Sequence, residues 1–280
     1  MCARNRFIIN MWNVWRDCLL SLTLILSTTA AGAHCSRPIT VPVAPTGFSV
    51  IINGDIISGI YPELLTSLSS KEKCEFVITP VPRARLEMMF DNGQADILIP
   101  AARTPRRDQS GIFIPLIYYR AMLIAVHPQQ NPPQNFKELL DQTSVRLSVV
   151  RGFDYGEGYQ SLISELQKQG RLRIEADPVS VARILKSGAA DYTLMTPSIF
   201  AGTVLSDARV GDMMNKLEYI SLAELPWSDS GVYLSRKSLR AEDLAALTEM
   251  FERVGNSGLV WKGFQRYYKK EVLKESIRPR

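Results

Sequence analysis

The sequence predicts an α/β protein of two lobes, each a mainly parallel sheet flanked by helices, joined by a two-segment hinge. Three observations predict it. From residue 39 onward, short apolar runs alternate with helical patterns, the rhythm of strands linked by crossover helices. The series occurs twice, before and after a long apolar run at 118–126 and a loop at 127–134 that carries three prolines. Excluding a leader of 33 residues, about 247 residues remain, enough for one large domain or two small lobes.

In the first series, residues 39–44 read as a strand, followed by a loop holding Gly47, Asn53, Gly54 and Gly59. Pro62 opens a helix, where a missing N–H has no intrahelical partner to lose. Residues 75–79 are a second strand. Residues 83–90 are a helix with Leu86, Met89 and Phe90 on one face, closed by Asn92-Gly93, a C-cap pair. Residues 96–99 are a third strand. The second series reads helix 136–140, strand 147–150, helix 158–169, strand 172–175, helix 179–186 and strand 192–195. A strand at 231–235 and amphipathic helices at 241–254 and 259–268 complete the chain. A cleft between two such units is where a small ligand binds.

Residues 1–33 read differently. Arg4 and Arg6 precede a short apolar run, Cys18 to Leu26, and Ala31-Gly32-Ala33 supplies small residues for cleavage, the anatomy of a secretory signal peptide. Arg16 and Asp17 interrupt the apolar stretch, leaving it short of the roughly 20 residues that span a bilayer. Export to the periplasm with cleavage near Ala33 is expected. Cleavage removes three arginines and one aspartate, taking the net charge from +5 to +3. The basic cluster Lys262, Arg266, Lys269, Lys270 and Lys274 reads as a solvated helix face, not the dense stripe that nucleic acid requires. Of the four cysteines, Cys35 and Cys74 remain. Each lies just before a strand, so a parallel sheet puts both at one edge, and an oxidising compartment favours a disulfide.

Catalytic signatures are sparse. The chain has two histidines, His34 and His127, and no metal-site spacing, P-loop or dinucleotide fingerprint; no cofactor or metal is expected. The most informative stretch runs from Pro82 to Tyr119. Its strand ends at a polar loop, Ala101 to Arg107, and ligands of open α/β sheets bind outside the carboxyl ends of strands. Arg103, Thr104, Arg106 and Arg107 stand there, arginine offering a planar fork for carboxylate or phosphate.

This block resembles the family-3 extracellular solute-binding proteins, which have the type II periplasmic-binding fold. The matching text is Gly59, Pro62, Glu63 and Leu64; Pro82 and Arg85; Gly93, Ala95 and Asp96; Thr104 to Arg107; and Phe113, Pro115 and Tyr118. It continues through VVRGFDYG and LKSGAADYTL and so covers nearly the whole exported chain. The resemblance implies a discontinuous first lobe over 34–122 and 227–280 and a second over 123–226. It also implies capture of a small anionic or zwitterionic, amino-acid-like solute for the permease of an ABC importer, by a monomer that is not an enzyme. Arg107 matches the arginine that pairs with a ligand carboxylate, and Thr104 a nearby hydroxyl donor. The implied ligand set is Arg107, Thr104, Arg85, Ala102, Asp154, Tyr155, Thr196 and Tyr118, with Phe48 and Trp227 as further aromatics of the cleft. Asp154 with Glu157 also reads as a capping box, while Asp191 matches a structural strand-start position. Amino-acid binders of the family carry an aspartate where this chain has Thr196, and a hydroxyl cannot neutralise a buried ammonium. Either another carboxylate such as Asp154 or Asp55 substitutes, or the ligand is not an ordinary α-amino acid. A periplasmic lyase or dehydratase on the same fold, and an accessory protein presenting ligand to a sensor, are the alternative readings.

Overall fold

A computed structural model describes residues 35–127 and 130–280; the expected leader and its cleavage point lie outside the described residues. The first strand, β1 (Ile39–Val43), alternates within a fully enclosed core: Ile39, Val41 and Val43 have no exposed surface. It pairs in parallel with β4 (Phe76–Pro80), Ile39 opposite Phe76. This register brings Cys35 and Cys74 together, and a disulfide joins them. Between these strands lie a small hairpin, β2 (Ile51–Asn53) and β3 (Ile56–Ser58), and helix α1 (Ile60–Glu72). Helix α2 (Arg83–Asp91) ends as the sequence expects: the Asn92 N–H donates to the Met88 carbonyl, and Gly93 takes φ 70°. Asp96 then ties β5 (Ile97–Ala102) to β1. Its carboxylate takes both ends of the Arg37 fork at 2.7 and 2.8 Å and the Thr40 N–H at 2.8 Å.

After the one-turn helix α3 (Pro105–Asp108), strand β6 (Gly111–Tyr119) leads to β7 (Met122–Ala125). A second group of elements follows: α4 (Phe136–Asp141), β8 (Leu147–Val150), α5 (Glu157–Lys168), β9 (Leu172–Glu175), α6 (Pro178–Lys186), β10 (Tyr192–Met195), α7 (Pro197–Ser206) and β11 (Glu218–Ile220). The chain returns through β12 (Ser228–Ser235) to α8 (Ala241–Ser257), α9 (Leu259–Tyr267), α10 (Lys270–Ser276) and the short β13 (Ile277–Arg278). The first lobe thus holds the β1–β4 pair and a four-stranded sheet ordered β13-β6-β12-β5; the second holds a five-stranded sheet ordered β11-β7-β10-β8-β9.

The two-lobed α/β class stands, but the expectation of mainly parallel sheets is corrected. Parallel pairing is confined to β1–β4, β10–β8 and β8–β9. The four-stranded sheet is antiparallel throughout. The cause is the double crossing between lobes. β6 runs outward and β12 returns beside it, and β7 and β11 repeat this on the other side. Outgoing and returning strands necessarily pair antiparallel. The apolar run at 118–126 is accordingly two strands broken at Arg120 and Ala121, one on each side of the crossing. Helices α7 and α10 and the β2–β3 hairpin were not expected from the sequence.

Two polar groups hold the second lobe. Asp191 accepts the Arg146 N–H at 2.8 Å, doing for β10 what Asp96 does for β5. The buried guanidinium of Arg171 donates to the carbonyls of Leu139, Leu140 and Gln142 at the end of α4, groups that lack partners within the helix. Among the described residues no helix is long and apolar enough to cross a membrane.

Candidate functional site

The site grows from α2 and α3. Arg83 and Glu87 are four residues apart and therefore share a helix face; both are buried, and Arg83 Nη2 donates to Glu87 Oε1 at 2.7 Å. Thr104 caps α3, its Oγ1 accepting the Arg107 N–H at 3.3 Å, with Pro105 at the first position. That turn aims two more arginines at the same carboxylate. Arg107 donates through Nε to Oε2 at 3.1 Å and through Nη2 to Oε1 at 2.8 Å. Arg106 Nη2 donates to Oε2 at 2.8 Å, while its Nη1 reaches Asp91 at 2.5 Å. The remaining Arg107 bond runs from Nη1 to the Ala102 carbonyl at 2.8 Å.

Burial alone would raise the Glu87 carboxyl. The charges of Arg83 and Arg107, with hydrogen bonds from Arg107 and Arg106, outweigh it and hold the group down at about 2. Burial pushes the Arg83 guanidinium down from its ordinary value, and the like charge of Arg107 adds to this. Arg83 Nη1 leans on the Pro100 carbonyl at 3.3 Å, and its Nε is buried with no hydrogen-bond partner.

The second lobe faces this cluster with the loop 152–155 and the start of α7. Phe153 lies under the Arg83 guanidinium, 5.8 Å from ring centroid to Cζ. Asp154 accepts the Gly156 N–H at 3.0 Å through Oδ1 and lies 3.5 Å from Arg106 Nε through Oδ2. Helix α5 is capped by Gly156, with no side-chain bond, so the capping-box reading of Asp154 is corrected: the side chain closes a turn two residues long and pairs across the lobes. Burial raises the Tyr155 hydroxyl, and its hydrogen bonds at Thr196 oppose the rise. Tyr268 of the first lobe donates to the Ser198 carbonyl at 2.8 Å.

Glycines permit the approach. A Cβ on Gly47 would stand 2.6 Å from the Ile199 carbonyl oxygen, and one on Gly202 would stand 2.5 Å from the Tyr268 hydroxyl.

Between the lobes lies a cavity of about 60 Å³. Of the residues expected from sequence, Ala102, Arg107, Asp154, Tyr155 and Thr196 line it. The other three lie elsewhere. Thr104 is buried as the α3 cap and borders an adjoining groove, so its hydroxyl is engaged by the backbone. Arg85 is exposed, because on α2 it points away from the face that Arg83 and Glu87 share. Tyr118 is 37% exposed and lies against Arg280; its neighbour Tyr119 lines the cavity instead, since side chains alternate along β6. Phe48 packs on Tyr267 and Tyr268, and Trp227 lies beneath Arg278. Sequence reasoning missed Arg83, Tyr61 and Tyr119 on the wall and Glu87 behind it. The four-residue spacing of Arg83 and Glu87 was the available signal. Among the described residues no cluster of histidine, cysteine, aspartate and glutamate is arranged to hold a metal ion.

A two-lobed α/β chain with a double crossing and an interlobe cavity has the fold of the periplasmic solute-binding proteins. Solved structures of that fold match it over most of its length. One is the arginine-, lysine- and histidine-binding protein ArtJ from Geobacillus stearothermophilus, at 17% identity and TM-score 0.64, covering 83% of this chain and 95% of that one. Another is a histidine kinase sensor domain with similarity to periplasmic binding proteins, at 15% identity and TM-score 0.65, covering 84% and 96%. A third is an ancestral amino-acid-binding protein described as a precursor of cyclohexadienyl dehydratase, at 13% identity and TM-score 0.61, covering 83% and 95%. No family model and no curated protein sequence matches the chain.

Proposed function

We propose that the chain is an exported solute-binding protein that closes two lobes on a small polar molecule and delivers it to the permease of an ABC importer. The observation that carries this reading is the composition of the cavity wall: Arg83 and Arg107 come from one lobe, and Asp154, Tyr155 and Thr196 from the other. A site shared in this way exists only when the lobes meet, so ligand binding favours the closed state. In this reading the lobes divide near residues 122 and 226, and the segments between Tyr119 and Met122 and between Ile220 and Ser228 would serve as the hinge. The disulfide suits an oxidising compartment, in keeping with the periplasm. The chain acts as a monomer in this reading.

The test is a thermal-shift screen of the purified chain against amino acids, amides, organic acids, polyols and polyamines, followed by calorimetry. One-to-one capture without product supports the reading; turnover of a captured solute would replace it with the lyase alternative, for which the dehydratase precursor is the relevant neighbour. Binding that no permease recognises but a membrane receptor does would favour the sensory alternative, matching the kinase sensor domain.

A further inference from the structure

The charges around the cavity close on themselves. The buried guanidiniums of Arg83 and Arg107 both meet the buried carboxylate of Glu87. At the rim, Arg106 is paired with Asp91 and completes the set, also touching Glu87 and Asp154. Three positive charges thus face three negative ones. Both oxygens of Glu87 lie on the Nε–Nη2 edge of Arg107, the side-on geometry with which arginine grips a carboxylate. The protein's own carboxylate therefore occupies the fork that a solute carboxylate would use. The opposite pole is also closed. Thr196 supplies no charge, and Asp154 is engaged by the Gly156 N–H and Arg106. An ammonium or carboxylate entering this space would be buried without a free counter-charge, which is costly.

Arg83, a residue of the cavity wall that is 6% exposed, keeps its Nε enclosed in protein without a hydrogen-bond partner. The rest of the wall is mixed, with the rings of Tyr61 and Tyr119, the side chains of Ile117 and Phe264, and the hydroxyls of Ser49 and Ser230. The cavity, at about 60 Å³, exceeds the roughly 10–15 Å³ that one water needs but is small beside the roughly 300–1,000 Å³ of drug-sized ligand pockets.

Resting on the solute-binding reading above, we propose that Glu87 is a specificity-determining residue: it neutralises the arginine fork from within, so the cavity takes a compact uncharged solute. The anionic or zwitterionic solute expected from the sequence gives way to a neutral one.

Isosteric probes that differ in charge test this. Acetamide against acetate, and lactamide against lactate and alanine, are titrated into the purified chain by calorimetry and ligand-observed NMR. The wild type should bind each amide at least tenfold more tightly than its charged counterpart. Glu87→Gln leaves one positive charge uncompensated and should raise lactate affinity at least tenfold relative to lactamide. The wild-type ranking decides the question if Glu87→Gln does not fold. Lactate or alanine binding the wild type as tightly as lactamide overturns the inference and leaves solute binding standing. A broad screen in which no solute of any class binds overturns both.

Discussion

Acid should dismantle the Glu87 cluster in a way that can be separated from general acid unfolding. The carboxyl is held at about 2 in the folded chain against an ordinary value of 4.5, so the unfolded chain takes up that proton more readily than the folded one. The resulting stabilisation is complete above the unfolded value and is lost as pH falls from about 4.5 toward about 2. At 1.36 kcal/mol per tenfold change in proton affinity, the difference corresponds to about 3 kcal/mol. Glu87 is 7% exposed and touches three guanidiniums, so solvent screening takes little from this figure. The assay is urea unfolding of the wild type and Glu87→Gln at a series of pH values. The variant should be less stable at neutral pH, and the gap should close by about 3 kcal/mol on acidification. Asp96, also lowered, titrates in both proteins and cancels. Profiles that stay parallel from neutral pH to the acid limit would refute the assignment of Glu87 as the charge at the centre of the cluster.

Replacing Cys35 and Cys74 with serine opens a loop of 39 residues and should cost about 4 kcal/mol by the chain-entropy relation, read as a lowered thermal midpoint matching that of the reduced wild type. Gly202→Ala places a methyl 2.5 Å from the Tyr268 hydroxyl of the other lobe, while alanine favours helix α7 by up to about 1 kcal/mol. It should therefore weaken ligand capture without lowering the midpoint; unchanged affinity would show that the lobes do not need this contact. Arg106→Ala removes the ion pair with Asp154 across the lobes and should shift the unliganded chain toward a more open form, seen as a larger radius of gyration in small-angle scattering.

Much of the architecture was legible because its signals are local. Alternating apolar runs and the Asn92-Gly93 helix stop need only near neighbours, and each is found in place. The sense of the strands was not legible. β6 and β12 pair over eight register positions although they are far apart in the chain, and no local pattern says that a returning strand will lie beside an outgoing one. Helix α7 was missed for a related reason: it is apolar on most sides, being packed into the second lobe, so it lacks an amphipathic signature.

The candidate site divides along the same line. Arg107 and Ala102 were legible in the loop after β5, and Asp154, Tyr155 and Thr196 in the second-lobe motifs that the chain shares with its resembled family. Arg85 and Tyr118 do not line the cavity, because a helix turns by about 100° per residue and a strand by 180°, and only packing says which face looks inward. The sequence by itself determined an α/β chain of two lobes, a disulfide between neighbouring strand starts and an arginine-rich loop at a strand end. Only the tertiary structure decided that Glu87 occupies the Arg107 fork and that Arg83 lines the cavity. Those facts depend on bringing α2 and α3 together, residues whose charges are written in the sequence but whose partners are chosen by distance in the fold.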